Sequence, residues 1–372
     1  MLSLRGIECW VFVASNRDAA WDDQGVRVRE IDSGNLWIRT LSRLPLRPTL
    51  VRLCRQIASS RALADAVLKV HRDAPFDIVQ TTSYTAPGYA LLRRKRPFPL
   101  VCRISSHTPT VRAAYGAVPD RYERISDRLE SRLVLGADGS FAPSVRTAST
   151  FRQLEGAEPA VIRTPVELPA CEPASVAAPT PRYLVFVGTL SRIKGADLLA
   201  EALPGVLSAH PELSFLFVGR DDGIPGVGSA FELIASRCGP MASRLGRYPE
   251  LPKESVCSAL RDAVALVLPS RIDNCPNVVL EAHAAGIPVV GTADSSIEEM
   301  VEDGRTGFLV PGGDPAELAA AMSRCLRMGA EERAAMKEFI RAHVEAVRLE
   351  DRIGKLTGYF GTVVSQWKER HG

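Results

Sequence analysis

Two apolar runs in the second half of the chain, Tyr183 to Val187 and Leu213 to Val218, each stop at a single glycine, Gly188 and Gly219. Ala196 to Leu207 then carries a helical pattern. The theme repeats with Ala263 to Pro269 before a helical stretch from Asn277 to Ala285, with Pro288 to Gly291, and with Phe308 to Val310 before a helix from Pro315 to Met328. Apolar runs without polar alternation suit strands covered on both faces. Their repetition with helices predicts a doubly wound α/β domain, whose ligands bind beyond the carboxyl ends of the strands.

At 372 residues the chain exceeds what one core usually supports, so two domains are expected. In the first half, apolar runs at Ile7 to Ala14, Val26 to Ile31, Phe76 to Gln80, Leu100 to Ile104, Gly139 to Ala142 and Ala160 to Arg163 read as strands. Helical stretches lie near Pro48 to His71, Ala86 to Arg94 and Tyr122 to Leu135, which suggests a parallel sheet wrapped by helices. Between Pro165 and Pro181, five prolines among Ala, Ser and Thr mark a linker. The expected division is a first domain over 1–168, a linker over 169–181, a second domain over 182–345, and a helical tail over 346–372 that returns to the first domain.

Two segments sit at strand ends and carry unusual residues. In Gly188-Thr189-Leu190-Ser191-Arg192-Ile193-Lys194-Gly195, glycines allow close backbone approach and the following helix directs free N–H groups and its dipole at an anion. Arg192 and Lys194 add positive charge, so a phosphate or diphosphate fits; alternatively both are solvated loop charges. In Pro269-Ser270-Arg271-Ile272-Asp273-Asn274-Cys275-Pro276-Asn277-Val278-Val279-Leu280-Glu281, Pro276 suits a first helical turn with Asn274 or Cys275 as cap. Glu281 falls within about two turns of that start, where a carboxylate can accept from paired ribose hydroxyls, and Asp273 could hold sugar hydroxyls. The plain alternative is a turn-capping Asp and an ordinary helix Glu.

In order and spacing, these segments resemble the donor-binding signatures of family-4 (group 1) glycosyltransferases of the GT-B fold. The family's acid, seven residues, then Glu is matched by Asp273 and Glu281, and its Gly-x-Pro-Val-Val strand by Gly286 to Val290. Asp262 to Ser270 upstream and Glu298 to Val310 downstream fit as well. The resemblance implies two Rossmann-like domains facing across a cleft that closes over the donor, and metal-independent, retaining transfer of a sugar from a nucleoside-diphosphate-sugar. It places Lys194 on the donor diphosphate and Glu281 on the nucleotide ribose. Asp273 and the backbone from Asn274 through Cys275, Pro276 and Asn277 to Val278 would face the sugar. Gly188, Thr189 and Arg192 complete the binding set, with no cofactor and no metal. The acceptor expected is a glycan or a lipid-linked glycan.

There are departures. Thr189 stands where the family usually has Arg, with Arg192 able to supply the charge, and Asp273 stands where Glu is usual. In many relatives a His follows the strand matching Leu100 to Ile104; here Ser105 and Ser106 come first, and His107 is either a shifted catalytic group or a loop histidine. The opening residues resemble the end of the family's first helix and its second strand, so the first domain is expected to lack its first strand and glycine-rich loop. Two other readings follow: a non-catalytic nucleotide-sugar-binding partner subunit, and a sugar-nucleotide epimerase. The epimerase needs converging acid–base groups, for which only His107 and His283 are near.

A net charge of +3 gives no case for nucleic acid. Eight scattered cysteines without a Cys-x-x-Cys pair read as reduced thiols of a cytoplasmic protein. The stretch Arg39 to Arg61 and the cluster Arg93-Arg94-Lys95-Arg96 could touch anionic lipid at the inner face of a membrane, although solvated faces are the commoner fate of such charges. Asp22-Asp23 and Asp221-Asp222 read as turn or strand-end acids rather than metal ligands.

Overall fold

The computed structural model describes residues 2–34, 44–165 and 178–371. Residues 169–177 of the expected linker, and Arg39 and Arg43 of the basic stretch, lie outside these. Contacts divide the chain into two units: Met1–Ala113, Ala117–Thr164 and Asp351–Gly372 form the first, and Ala114–Gly116 with Pro165–Glu350 the second.

The first unit contains β1 (Cys9–Ser15), β2 (Ala19–Asp23), β3 (Val26–Asp32), α1 (Pro48–Asp73), β4 (Val79–Thr82), α2 (Tyr89–Leu92), β5 (Leu100–Arg103), α3 (Thr108–Ala114), α4 (Arg121–Gly136), β6 (Gly139–Ala142), α5 (Val145–Glu155) and β7 (Ala160–Val161). Sequence patterning suggested one parallel sheet. The structure instead has two sheets, β1-β3-β2 and an all-parallel β4-β5-β6-β7. In the smaller sheet β2 runs antiparallel to β3. The reason is a two-residue turn, Gln24-Gly25, with φ of 50° and 78° at its two positions. Positive φ at both suits a type I′ hairpin, whose twist matches that of the strands. Asp22 accepts the Gly25 N–H at 3.0 Å, so this acid is a turn residue.

Rings of Phe12, Phe76 and Phe98 stack edge-on between the two sheets, with centroids 6.1 Å and 6.3 Å apart. On β5 the alternation of a strand separates two cores. Leu100 and Cys102 join the cluster that includes Val67 of α1 and Leu133 of α4, whereas Val101 joins Phe141, Leu356 and Val363. The last two lie on the helix Arg352–His371, whose Tyr359 hydroxyl donates to the Ser140 carbonyl at 2.9 Å. The helix expected from Ala86 is delayed to Tyr89, because Thr85 and Ala86 hold positive φ (59° and 44°), which a right-handed helix excludes.

The second unit contains β8 (Arg182–Val187), β9 (Leu190–Ser191), α6 (Ala196–Ala209), β10 (Leu213–Val218), β11 (Asp221–Gly223), α7 (Ala230–Cys238), β12 (Leu245–Tyr248), α8 (Lys253–Arg261), β13 (Leu266–Leu268), α9 (Asn277–Ala284), β14 (Val289–Thr292), β15 (Gly307–Val310), α10 (Pro315–Arg327) and α11 (Ala330–Leu349). Its main sheet is parallel throughout, in the order β12-β10-β8-β13-β14-β15. Every residue of β10 and β13 is buried, as strands covered on both faces require. From β8 the chain adds strands toward one edge, β10 then β12. It then returns to the other side of β8 for β13, β14 and β15. The reversal lies between β8 and β13, and such switch points open a crevice at the carboxyl edge.

Among the described residues no helix is long and apolar enough to cross a membrane. Cys9, Cys54, Cys102, Cys238, Cys275 and Cys325 are free thiols; Cys257 is disulfide-bonded, which corrects the expectation of reduced thiols throughout.

Candidate functional site

The loops leaving β8 and β13 are the two segments that drew attention in the sequence, and both leave the sheet at its switch point. They are bound to each other. The Arg271 N–H donates to the Ile193 carbonyl at 2.8 Å. The Arg271 guanidinium donates to the Arg192 carbonyl at 2.7 Å and grips Asp197 through two bonds of 2.6 and 2.9 Å. Gly195, at φ 75°, lies so close to the second loop that a Cβ there would overlap the Pro269 carbonyl oxygen. Gly219, just past β10 and at φ 135°, is pressed in the same way: a Cβ there would overlap the Gly188 carbonyl oxygen. These glycines are required because no side chain fits between the backbones.

Within that frame Lys194 and Asp273 meet: Lys194 Nζ donates to Asp273 Oδ2 at 2.6 Å. The carboxylate is only 10% exposed and the ammonium 27%. A cation and an anion separated by 79 positions in the chain are thus held at one point of the carboxyl edge. Asn274 and Cys275 follow, half-buried; Pro276 is buried, and Asn277 and Val278 open α9. Glu281 sits half-buried one turn into that helix. Thr189 is half-buried and Arg192 is exposed. Neither α6 nor α9 has a side-chain cap at its N-terminus. A helix start of this kind, as at α6, suits an anion.

Three residues of the site were not singled out from the sequence. Arg271 and Asp197 form the clamp between the loops. Ser270, fully buried, has its Oγ without a hydrogen-bond partner while its carbonyl accepts from Thr292 Oγ1. Buried hydroxyls are normally satisfied, so Ser270 is an exception, held inside the fold out of reach of solvent. Asp221, also at the carboxyl edge, has its carboxylate filled by N–H groups of Gly223, Ala230 and Phe231 and by the Ser229 hydroxyl; it closes a loop onto α7. Among the described residues no group of three or more His, Cys, Asp or Glu is arranged to hold a metal ion.

His283, on the helix that carries Glu281, is a buried core residue. Its Nε2 lies 3.2 Å from the Thr306 carbonyl, its Nδ1 has no partner, and the His343 ring stacks edge-on at 5.3 Å. Burial, aided by His343, pushes its pKa down to about 4. A neutral ring with the proton on Nε2 fits this geometry. Because the folded-state value lies below the unfolded one, the unfolded chain binds the extra proton. The stability present above about pH 6.5 is lost as pH falls toward 4. Denaturant titrations are expected to show a loss of roughly 2 kcal/mol between about pH 7 and pH 5. His283→Leu is expected to flatten that slope, and an unchanged slope in the variant counts against this assignment.

His107 lies in the first unit. Its Nδ1 pairs with Thr110 Oγ1 at 2.6 Å, its Nε2 with Glu155 at 2.9 Å, and its ring stacks edge-on to Phe151. With both nitrogens engaged, this geometry fits the loop-histidine reading. At the carboxyl edge of the same unit, buried Glu130 accepts from the Thr85 N–H at 2.8 Å and the Thr108 hydroxyl at 2.5 Å. It thereby holds the loops after β4 and β5 together. Burial pushes its carboxyl pKa up, against the lowering effect of these two bonds.

Comparison with known proteins bears on the family and the fold. The family profile described as "Glycosyl transferases group 1" matches residues 181–328, and "Glycosyltransferase Family 4" matches residues 1–168. The D-inositol 3-phosphate glycosyltransferase of Geodermatophilus obscurus is 31% identical over 327 residues, covering 81% of this chain and 69% of the relative. The protein of that name from Acidothermus cellulolyticus is 28% identical over 355 residues, covering 88% and 76%. Among solved structures, sucrose-phosphate synthase from Thermosynechococcus elongatus superposes with a TM-score of 0.73 at 18% identity, over 100% of this chain and 90% of that one. An α,α-trehalose-phosphate synthase (UDP-forming) from Burkholderia vietnamiensis gives 0.73 at 14% identity, over 98% and 92%. The fold is that of GT-B glycosyltransferases, and the chain belongs to the group 1 glycosyltransferases.

Proposed function

We propose that the chain is a retaining, metal-independent glycosyltransferase that takes its sugar from a nucleoside-diphosphate donor bound at the switch point of the second unit. The observation that carries this reading is the contact of Lys194 with Asp273 between two loops clamped by Arg271. In the reaction the bond from the sugar's anomeric carbon to the diphosphate breaks, a bond to an acceptor oxygen forms on the same face, and the acceptor's proton ends on the diphosphate. The transition state is oxocarbenium-like, with negative charge growing on the leaving group. Lys194 exchanges its bond to Asp273 for one to the diphosphate. With Arg192 and the leading N–H groups of α6, it takes up that charge without a metal. Asp273, released, and the backbone from Asn274 to Val278 face the sugar; Glu281 accepts from the ribose hydroxyls. His107 has no part in this scheme.

The acceptor is a hydroxyl compound, and glycans and sugar phosphates are the classes to try. The relatives' names point to a phosphorylated polyol in their case. UDP-sugars are the first donors to test, since one fold neighbour is named as UDP-forming. Calorimetry with UDP in the presence of EDTA is expected to show binding that added magnesium leaves within about twofold. Glu281→Ala is expected to weaken it by roughly 10-fold or more, the worth of a charge-assisted hydrogen bond. Binding that requires magnesium overturns the metal-independent part. Equal affinity in Glu281→Ala, for whichever nucleoside diphosphate binds, overturns the ribose assignment.

A further inference from the structure

A cavity of about 470 Å³ opens in the first unit between α1, α2 and α4, well away in sequence from the donor loops. Four of its lining residues are arginines: Arg61 from α1, Arg93 and Arg94 at the end of α2, and Arg132 from α4. Arg94 is neutralised by Asp65, the nearest acid on α1. The other three guanidinium groups make no hydrogen bond or ion pair among the described residues. Gln56, in the same wall, accepts from the Ser126 hydroxyl at 2.6 Å through its amide oxygen, while its enclosed Nε2 has no hydrogen-bond partner. Tyr89 and Leu129 supply an apolar side.

Three cations around one cavity repel each other, and an enclosed amide donor without an acceptor costs free energy. The three guanidinium groups reach solvent, which screens their repulsion, and an anion with several acceptor oxygens in the space lowers both costs once the Gln56 amide turns toward it. Guanidinium groups bind phosphate in this way, through paired N–H donors. The volume lies in the range of small-molecule sites and exceeds that of one phosphate, so the ligand has an organic body that meets Tyr89 and Leu129. We propose that this cavity is a binding site for a phosphate ester, separate from the donor site, held by Arg61, Arg93, Arg132 and Gln56. The same phosphate chemistry is available on a soluble metabolite or on a lipid headgroup.

Arginine modification by phenylglyoxal, mapped by mass spectrometry, tests this in the Lys194→Ala chain, where the donor site is disabled. The probes are inorganic pyrophosphate and phosphatidylcholine vesicles with or without phosphatidylglycerol. Arg52 and Arg55, exposed on α1 but outside the cavity, are the internal controls. Pyrophosphate is expected to slow modification of Arg61, Arg93 and Arg132 roughly threefold or more relative to the controls, as charge-assisted bonds would. In the Arg61→Ser/Arg132→Ser chain the protection of Arg93 is expected to disappear. Selective protection by anionic vesicles alone also supports the site and assigns the phosphate to a headgroup. Protection by neither probe, or equal protection of Arg52 and Arg55, overturns the proposal. This outcome does not depend on whether the chain transfers sugar.

Discussion

Lys194→Ala is expected to lower turnover by roughly 10²–10³-fold, the usual effect of removing one group that stabilises developing negative charge. Two effects act together. The leaving diphosphate loses its closest cation, and Asp273, only 10% exposed, is left as an uncompensated carboxylate beside it. The loss should appear in both kcat and kcat/KM, because the interaction strengthens as the bond to the sugar breaks. The fold should survive, since Lys194 lies outside the apolar core of the second unit. Asp273→Asn added to Lys194→Ala is expected to restore part of donor binding but not turnover. Activity of the single variant within twofold of the parent removes Lys194 from the chemistry.

The second large effect is expected at Gly195. An alanine there is strained at φ 75°, and its Cβ would overlap the Pro269 carbonyl oxygen and lie 2.9 Å from the Pro269 carbonyl carbon. The strain and the overpacking together are expected to cost roughly 2–5 kcal/mol. Relief requires the two loops to part, which breaks the bond of Arg271 N–H to Ile193 and separates Lys194 from Asp273. Donor binding should therefore fail even where the variant remains folded. Gly304→Ala is the control: its φ is 73°, but nothing lies within 4 Å of the added carbon. It should cost only about 1 kcal/mol, the conformational share. Equal denaturant midpoints for the two variants would show that close approach at Gly195 is not what holds the loops.

The second unit was legible in the sequence because its strands are buried on both faces and read as unbroken apolar runs ending in glycine, as at Val187-Gly188 and Val218-Gly219. The loops after them could be placed at the carboxyl edge from order alone. The contact of Lys194 with Asp273 could not, since it depends on which strands are neighbours. Arg271 was hidden for the same reason: its partner Asp197 is 74 positions away. In the first unit the β2–β3 hairpin escaped notice because Asp23-Gln24-Gly25 lacks the usual Asn-Gly signature, and α2 was overextended because nothing local announces a positive φ at Ala86. Glu130 drew no notice in the sequence, being one acid within a helix, yet it is buried between two loops. Periodicity reports the faces of elements, whereas these features arise from tertiary pairing.

The most direct test is the structure of the complete chain with a bound nucleoside diphosphate. The diphosphate is expected within hydrogen-bond reach of Lys194 Nζ and the backbone N–H groups at the start of α6. The ribose hydroxyls are expected on the Glu281 carboxylate, with the Lys194–Asp273 bond opened. A nucleotide seated elsewhere on the second unit, with that bond intact and Glu281 untouched, would contradict this placement.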